Sequence, residues 1–417
     1  MKPAEHADGR EFDVVVFGAT GFTGSLVAEY LLERYGTDGA LRWALAARDR
    51  NRLDALRNRL GKPELPLLVA DSHDRASLTA LASRTRVVAA TVGPYAKHGD
   101  DLVAACVARG THYCDLAGEV QWIRRMIDTH QAAAAASGAR IVHSCGFDSI
   151  PMDLGVWNLQ QSAFERHGTY CAAITTYVRA MRGGGSGGTF ASMLNLIDES
   201  RRDRSIARLL ADPYALNPAG QRDGPDGRDQ RDVRFDPAAG GWTAPFVMAG
   251  INTRVVRRSH ALLGFPWGRD FRYREVLLTG RGLRGRLRAT GMAAALGGLV
   301  FAASHALTRR LLEKLILPAP GDGPDAEARE NGCFVLHQRG VLADGSVVQG
   351  RVSSDRDPGY GSTSRMLGEA AACLAKDPLS AGGGIWTPAA AMGAPLRQRL
   401  VANAGIRFDI VPAPAAQ

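Results

Sequence analysis

Aromatic side chains are scarce in this chain, 7% of 417 residues, and none is interleaved with its basic clusters. Single-stranded nucleic acid needs such rings to stack on, and duplex readers need a recognisable helix motif, so no nucleic-acid partner is expected. Cysteine is equally sparse. Cys106, Cys114, Cys145, Cys171, Cys333 and Cys373 stand far apart, with no C-x-x-C pair and no histidine at zinc-ligand spacing. That argues against a disulfide scaffold and predicts no metal site; several of the six read as small core residues of a reduced, cytoplasmic protein. The polar stretch Met1–Glu11 shows no apolar signal region, which agrees with that compartment. Internal repeats are missing, and the alanine run Ala132–Ala136 simply favours helix.

What is present is ordinary globular material: 45% hydrophobic, 22% charged, with 48 glycines. The length suits two or three domains. A net charge of +9 raises the question of an anionic partner. Two arginine clusters stand out, Arg201, Arg202, Arg204 and Arg208, then Arg281, Arg284, Arg286 and Arg288. They read first as solvated surfaces, and next as contacts to an anionic cofactor, an acyl carrier or a membrane. Within the apolar segment 283–315, the run Thr290–Leu307 approaches the length of a membrane span. Glycine, serine and threonine breaks and His305 interrupt it, so a buried or interface helix is expected ahead of one lying on a membrane. Peripheral contact through 285–315, on the inner face of the membrane, and a homodimer both stay open.

Along the first third, short β-branched runs alternate with helical stretches. Strands are expected at Phe12–Phe17, Trp43–Ala47, Leu67–Ala70, Val87–Thr91, His112–Leu116 and Arg140–His143. Helices are expected at Phe22–Tyr35, Asn51–Leu60, Asp74–Ser83, Gly99–Arg109 and Glu119–Ser137. That rhythm predicts an α/β class protein whose residues 1–150 form a doubly wound parallel sheet of the Rossmann type. A second, α+β domain with an antiparallel sheet is expected over 151–358, for substrate or interface. Its marks are a helix at Pro151–Phe164, a strand at Ala172–Val178, a glycine loop Gly183–Gly188 and a helix from Thr189 to Asp203. A long mobile loop is expected over Asp212–Gly241, and a hairpin turns at Ala343-Asp344-Gly345. The helical region 359–417 is expected to return to the first domain.

The sharpest motif is Gly18-Ala19-Thr20-Gly21-Phe22-Thr23-Gly24, which leaves a strand and opens a helix. Gly18 permits the turn, Gly21 lets backbone approach a pyrophosphate, and Gly24 lets helix and strand pack closely, while Thr20 and Thr23 add hydroxyls. Free amides and the helix dipole then hold the phosphates. The second strand ends not in a carboxylate but in Arg48, with Arg52 one turn on. A guanidinium there grips a 2′-phosphate, so NADP(H) is the expected cofactor. Asp49 fits as a helix cap. Asp71 and Ser72 should contact adenine, and Thr91, Val92, Gly93 and Pro94 close the fourth strand at the switch point.

These residues, with A-A-R-D-R, T-V-G-P-Y-A-K-H-G, H-Y-C-D-L-A-G-E and G-F-D-S-I-P-M-D-L-G, resemble the saccharopine dehydrogenase-like NADP-binding family. The tail motifs at Asp357–Ala372 and Gly382–Gly393 make the chain similar to its trans-acting enoyl reductase branch. The resemblance implies reduction of a carbon–carbon double bond in a lipid or polyketide acyl chain, performed in trans for a synthase on a carrier-bound or small-molecule substrate. Such chemistry needs donors for an enolate oxygen and a proton for the α-carbon. Tyr95, His98 and Tyr113 are the candidate donors, and Asp115, Glu119 and Asp148 a candidate carboxylate group; His143 reads as core. Two alternatives remain: a C–N oxidoreductase of the saccharopine type, and a non-catalytic NADP-binding protein at a membrane.

Overall fold

The computed structural model describes residues 9–184, 187–315 and 323–411. Most of the polar N-terminal stretch, the middle of the 183–188 glycine loop and the last six residues of 359–417 lie outside them. The chain divides into two compact units. One holds Met1–Ile150, Gly321–Gly323 and Gly359–Gly405, the other Pro151–Pro320, Pro324–Pro358 and Ile406–Gln417.

The chain enters the first unit through β1 (Phe12–Phe17), α1 (Phe22–Tyr35), β2 (Trp43–Ala47), α2 (Arg50–Arg59), β3 (Leu67–Val69) and α3 (Arg75–Arg84). It continues through β4 (Thr85–Ala90), α4 (Tyr95–His98), α5 (Asp100–Ala108), β5 (His112–Asp115), α6 (Val120–Ser137) and β6 (Arg140–Val142). Every residue of β1 and β2 is buried. Such strands are covered on both faces, which is why they read as unbroken apolar runs. The helix expected over Gly99–Arg109 is preceded by a separate short turn, α4.

The second unit begins with α7 (Ile150–His167) and runs on through β7 (Ala173–Arg182), α8 (Gly187–Arg202), α9 (Arg204–Ala211), β8 (Arg234–Asp236) and β9 (Gly241–Ala244). Next come α10 (Ala249–Leu262), β10 (Arg272–Gly280), α11 (Gly282–Ser304), α12 (Ala306–Leu315), α13 (Ala326–Glu330), β11 (Cys333–Val341) and β12 (Val347–Ser354). The hairpin β11–β12 pairs antiparallel around the Asp-Gly turn. The sheet as a whole is mixed rather than antiparallel, because β7 and β10 pair in parallel. Nor does the 212–241 stretch hang loose. Arg257 Nε donates to Asp226 at 2.7 Å and Arg254 Nη1 to Asp229 at 2.8 Å, which ties it to α10.

The chain then returns to the first unit with α14 (Thr363–Lys376), β13 (Gly384–Trp386) and α15 (Pro388–Asn403). β13 adds an edge strand to give the parallel order β13-β6-β5-β4-β1-β2-β3. Glu369, fully buried on α14, accepts from Tyr30 (2.5 Å) and Tyr35 (2.7 Å) of α1 and from Asn403 (3.1 Å) of α15. The region expected as one body over 359–417 therefore divides. Beyond Gly405, β14 (Arg407–Val411) pairs with β12 and completes the second sheet, β14-β12-β11-β7-β10-β9-β8.

A polar cluster lies inside the second unit. Glu275 of β10 accepts from Asn252 (3.0 Å) and from the Tyr273 hydroxyl (2.8 Å), and that hydroxyl lies 3.0 Å from Thr176 Oγ1. Burial pushes the Glu275 carboxyl up to about 8. Its folded value thus exceeds its unfolded one, so its contribution is full at acid pH and is lost as pH rises through about 8. Glu275→Gln, uncharged at every pH, should raise the melting temperature above pH 8 by roughly 2–4 °C per kcal/mol regained and change it little at pH 5. Thermal unfolding across that range checks this; an equal shift at both ends would refute it.

Candidate functional site

The turn between β1 and α1 forms one wall of the site. Gly18 sits at φ +84°, and a Cβ there would lie 2.6 Å from Val92 Cγ2 and 2.8 Å from Thr91 Oγ1. Gly24 is tighter, its Cβ falling 2.2 Å from the Gly18 carbonyl oxygen. The helix therefore begins pressed against the strand, which only glycine permits. Gly21 is the exposed N-cap, and no side chain among the described residues caps it. Uncapped amides at the positive end of a helix suit an anion. Half-buried Thr20, Phe22 and Thr23 line the turn. Arg52 reaches back from α2 to donate to the Thr20 carbonyl at 3.3 Å, and the Phe22 ring meets Tyr360 edge-on.

Arg48 follows β2, exposed and with no hydrogen bond or ion pair among the described residues. Asp49 accepts from Arg52 N at 3.1 Å and caps α2, as its position suggested. Asp71 and Ser72 are half-buried after β3; the Asp71 carboxylate accepts from His73 N at 2.9 Å. Thr91 closes β4 by donating to the carbonyls of Phe17 and Gly18 at 3.1 and 3.2 Å. Val92, exposed Gly93 and Pro94 follow, the Gly93–Pro94 bond being cis.

His98 does not stand with the other proposed donors. Its Nδ1 lies 3.0 Å from His73 Nε2, beside the loop after β3. Burial, His73, Lys97 and Arg48 hold its pKa down, against a small opposing pull from Asp71. His98 thus joins Arg48 at the β2–β3 end, the side on which such folds hold adenosine. Nothing in the sequence signals a pair formed by residues 25 positions apart.

The two tyrosines are structural. Tyr95 is buried; its hydroxyl donates to the Ala90 carbonyl (3.0 Å) and accepts from Leu116 N (3.1 Å), which ties β4 to the end of β5. Tyr113 has no exposed surface, and burial beside Asp115 raises its pKa well above the usual phenol range. Neither hydroxyl is open to a substrate. Asp115 is also wholly buried and acts as an anchor: it accepts from Ala117 N (3.0 Å), Ser144 N (3.0 Å) and His143 Nδ1 (2.7 Å). His143 is a core residue, as expected, with its Nδ1 hydrogen-bonded to Asp115. Glu119 is the N-cap residue of α6, but its side chain does not cap that helix. Its two oxygens accept from Tyr95 N (2.7 Å) and Ala96 N (3.0 Å), capping α4 across the switch point. That role was invisible in the sequence because cap and helix lie on different crossovers.

Asp148 is the exception among the carboxylates. It sits on the loop after β6, held by Phe147 N donating to Thr363 Oγ1 at 3.0 Å. Its side chain is half-buried and makes no hydrogen bond among the described residues. Desolvation pushes its pKa up to about 7, so it can hold or release a proton near neutrality. The metal expectation has no counterpart to test: no group of three or more potential ligands gathers among the described residues.

If Arg48 senses a 2′-phosphate, Arg48→Glu should weaken NADPH roughly 10–100-fold, the worth of a charged hydrogen bond or two, and leave NADH nearly unchanged. Calorimetric titration with both nucleotides checks this; equal weakening would remove the assignment.

The chain is similar to known proteins along nearly its whole length. Residues 14–142 match the saccharopine dehydrogenase NADP binding domain family. A Mycobacterium tuberculosis protein, provisionally named a trans-acting enoyl reductase, is 44% identical over 97% of this chain and 98% of its own. The trans-acting enoyl reductase of Mycobacterium ulcerans is 38% identical over 94% and 96%. Among solved structures, saccharopine dehydrogenase (L-Glu forming) of Saccharomyces cerevisiae shares the fold, with a TM-score of 0.53 at 13% identity over 96% of this chain and 100% of that one. With relatives at this identity matched from end to end, the chain belongs to the trans-acting enoyl reductase family and carries a saccharopine dehydrogenase-type NADP binding domain.

Proposed function

We propose that this chain is an NADPH-dependent reductase that saturates the carbon–carbon double bond of an acyl chain made by another enzyme. The observation that carries the reading is end-to-end similarity to proteins named for that activity. The uncapped glycine turn and the unpaired Arg48 support the cofactor, and they favour NADPH over NADH. Bound NADPH would supply a hydride to the β-carbon of an enoyl thioester. The protein's own share is a proton for the α-carbon, and Asp148 is the residue equipped to give it. Its carboxyl is half-buried, without a hydrogen bond among the described residues, and protonated up to about pH 7. Tyr95, Asp115 and Glu119 act one step back, by holding the loops after β4 and β5 in place.

The reaction is tested by following NADPH absorbance with enoyl thioesters of increasing chain length. Oxidation that rises with acyl length is expected; oxidation only with a glutamate–lysine imine, or none at all, would overturn the reading. The proton donor is tested separately. Wild-type turnover should fall as pH rises through about 7, because the acid is then ionised. Asp148→Asn should cost roughly 100-fold in kcat, typical of general acid catalysis, remove that limb and leave NADPH affinity intact. A variant with the wild-type pH profile would exclude Asp148.

A further inference from the structure

The apolar segment singled out in the sequence is not buried. α11 is 23 residues long, and its candidate membrane-spanning window is only 11% buried. Gly285, Ala289 and Ala303 form its inward side, and the helix packs on β9 and β10. On the outer side Leu283 (70% exposed), Leu287 and Phe301 (both 63%) fall on one line with Ala294, at steps of four, seven and seven residues. Those steps return to the same helix face. Arg284, Arg286 and Arg288, all exposed, flank that line over the first two turns, and Arg286 also covers the Trp242 ring at 5.2 Å.

Beside the start of the helix lies a cavity of about 450 Å³ lined by Arg179, Arg281 and Arg288 with Gly241 and Thr279. None of these three guanidiniums has a hydrogen bond or ion pair among the described residues. From Val276 to Leu312 the chain has no Asp or Glu at all. An apolar line between arginines, next to unneutralised cations around a cavity, is complementary to acyl chains beneath phosphate headgroups. A spanning helix is excluded by the packing, since lipid cannot surround a helix whose other side rests on its own sheet.

We propose that α11 lies in the plane of an anionic lipid surface, with its Leu283–Leu287–Ala294–Phe301 line among the acyl chains and a lipid phosphate in the Arg179–Arg281–Arg288 cavity. The inference stands apart from the reaction, because every residue in it belongs to the second unit. It is tested by co-sedimenting the full chain with phosphatidylcholine vesicles and with the same vesicles containing phosphatidylglycerol. Binding to the anionic vesicles, weakened by salt, is expected. Arg281→Ala with Arg288→Ala should lose roughly 25-fold, about fivefold per arginine near a charged surface. Leu287→Ser with Phe301→Ser should abolish the binding that survives high salt. Circular dichroism and calorimetric NADPH binding, unchanged in both variants, show that the fold is intact. Equal affinity for neutral vesicles, or none for either, overturns the proposal. So does a wild-type dimer without lipid affinity that Phe301→Ser dissociates, which would assign the face to a second copy of the chain.

Discussion

The approach of α1 to β1 is the constraint on which the cofactor side of the molecule rests. With the Gly24 Cβ position 2.2 Å from the Gly18 carbonyl, no side chain can intervene, and Thr91 locks the same carbonyl from β4. The contact brings three elements to one point, the switch between β1 and β4 where the strand order reverses. The helix start is held there with no side-chain cap on Gly21 among the described residues. A glycine N-cap without a capping side chain among the described residues is the arrangement in which helix starts receive anions.

Around that point the buried polar groups divide by whether their partners are complete. Asp115, Glu119 and Glu369 are desolvated carboxylates whose oxygens meet backbone amides, imidazole, phenol or amide donors, and each joins elements that are distant in sequence. Such groups stabilise one arrangement and are unsuited to chemistry, because their lone pairs are occupied. Asp148 has desolvation without compensation, and that imbalance leaves a carboxyl that titrates near neutrality. Arg48 stands in the same relation on the cationic side: exposed, unpaired and adjacent to the His73–His98 pair.

The second unit carries exposed arginines, unpaired among the described residues, on its surface. Among its interior carboxylates, Glu275 has Asn252 and Tyr273 for company, and Asp153 accepts from Ser259 at 2.6 Å. Three arginines around one cavity and an apolar helix line lie outside, where solvent carries the cost until a partner arrives.

Local pattern determined the first six strands of the parallel sheet by itself. The bounds of β1, α1 and β2 match their expected residues because buried parallel strands and amphipathic crossovers announce themselves within a few residues. The glycine turn, Arg48, the Asp49 cap and the Asp-Gly hairpin were legible for the same reason: each works through neighbours close in sequence. Tertiary structure alone decided what depends on distant partners. It brought β13 to the sheet edge, split the tail at Gly405, moved His98 to His73, and spent the hydroxyl of Tyr95 and the carboxylate of Asp115 on holding loops. A side chain's chemistry is set by which donors, acceptors and solvent surround it, and those neighbours are supplied by the fold rather than by adjacent residues.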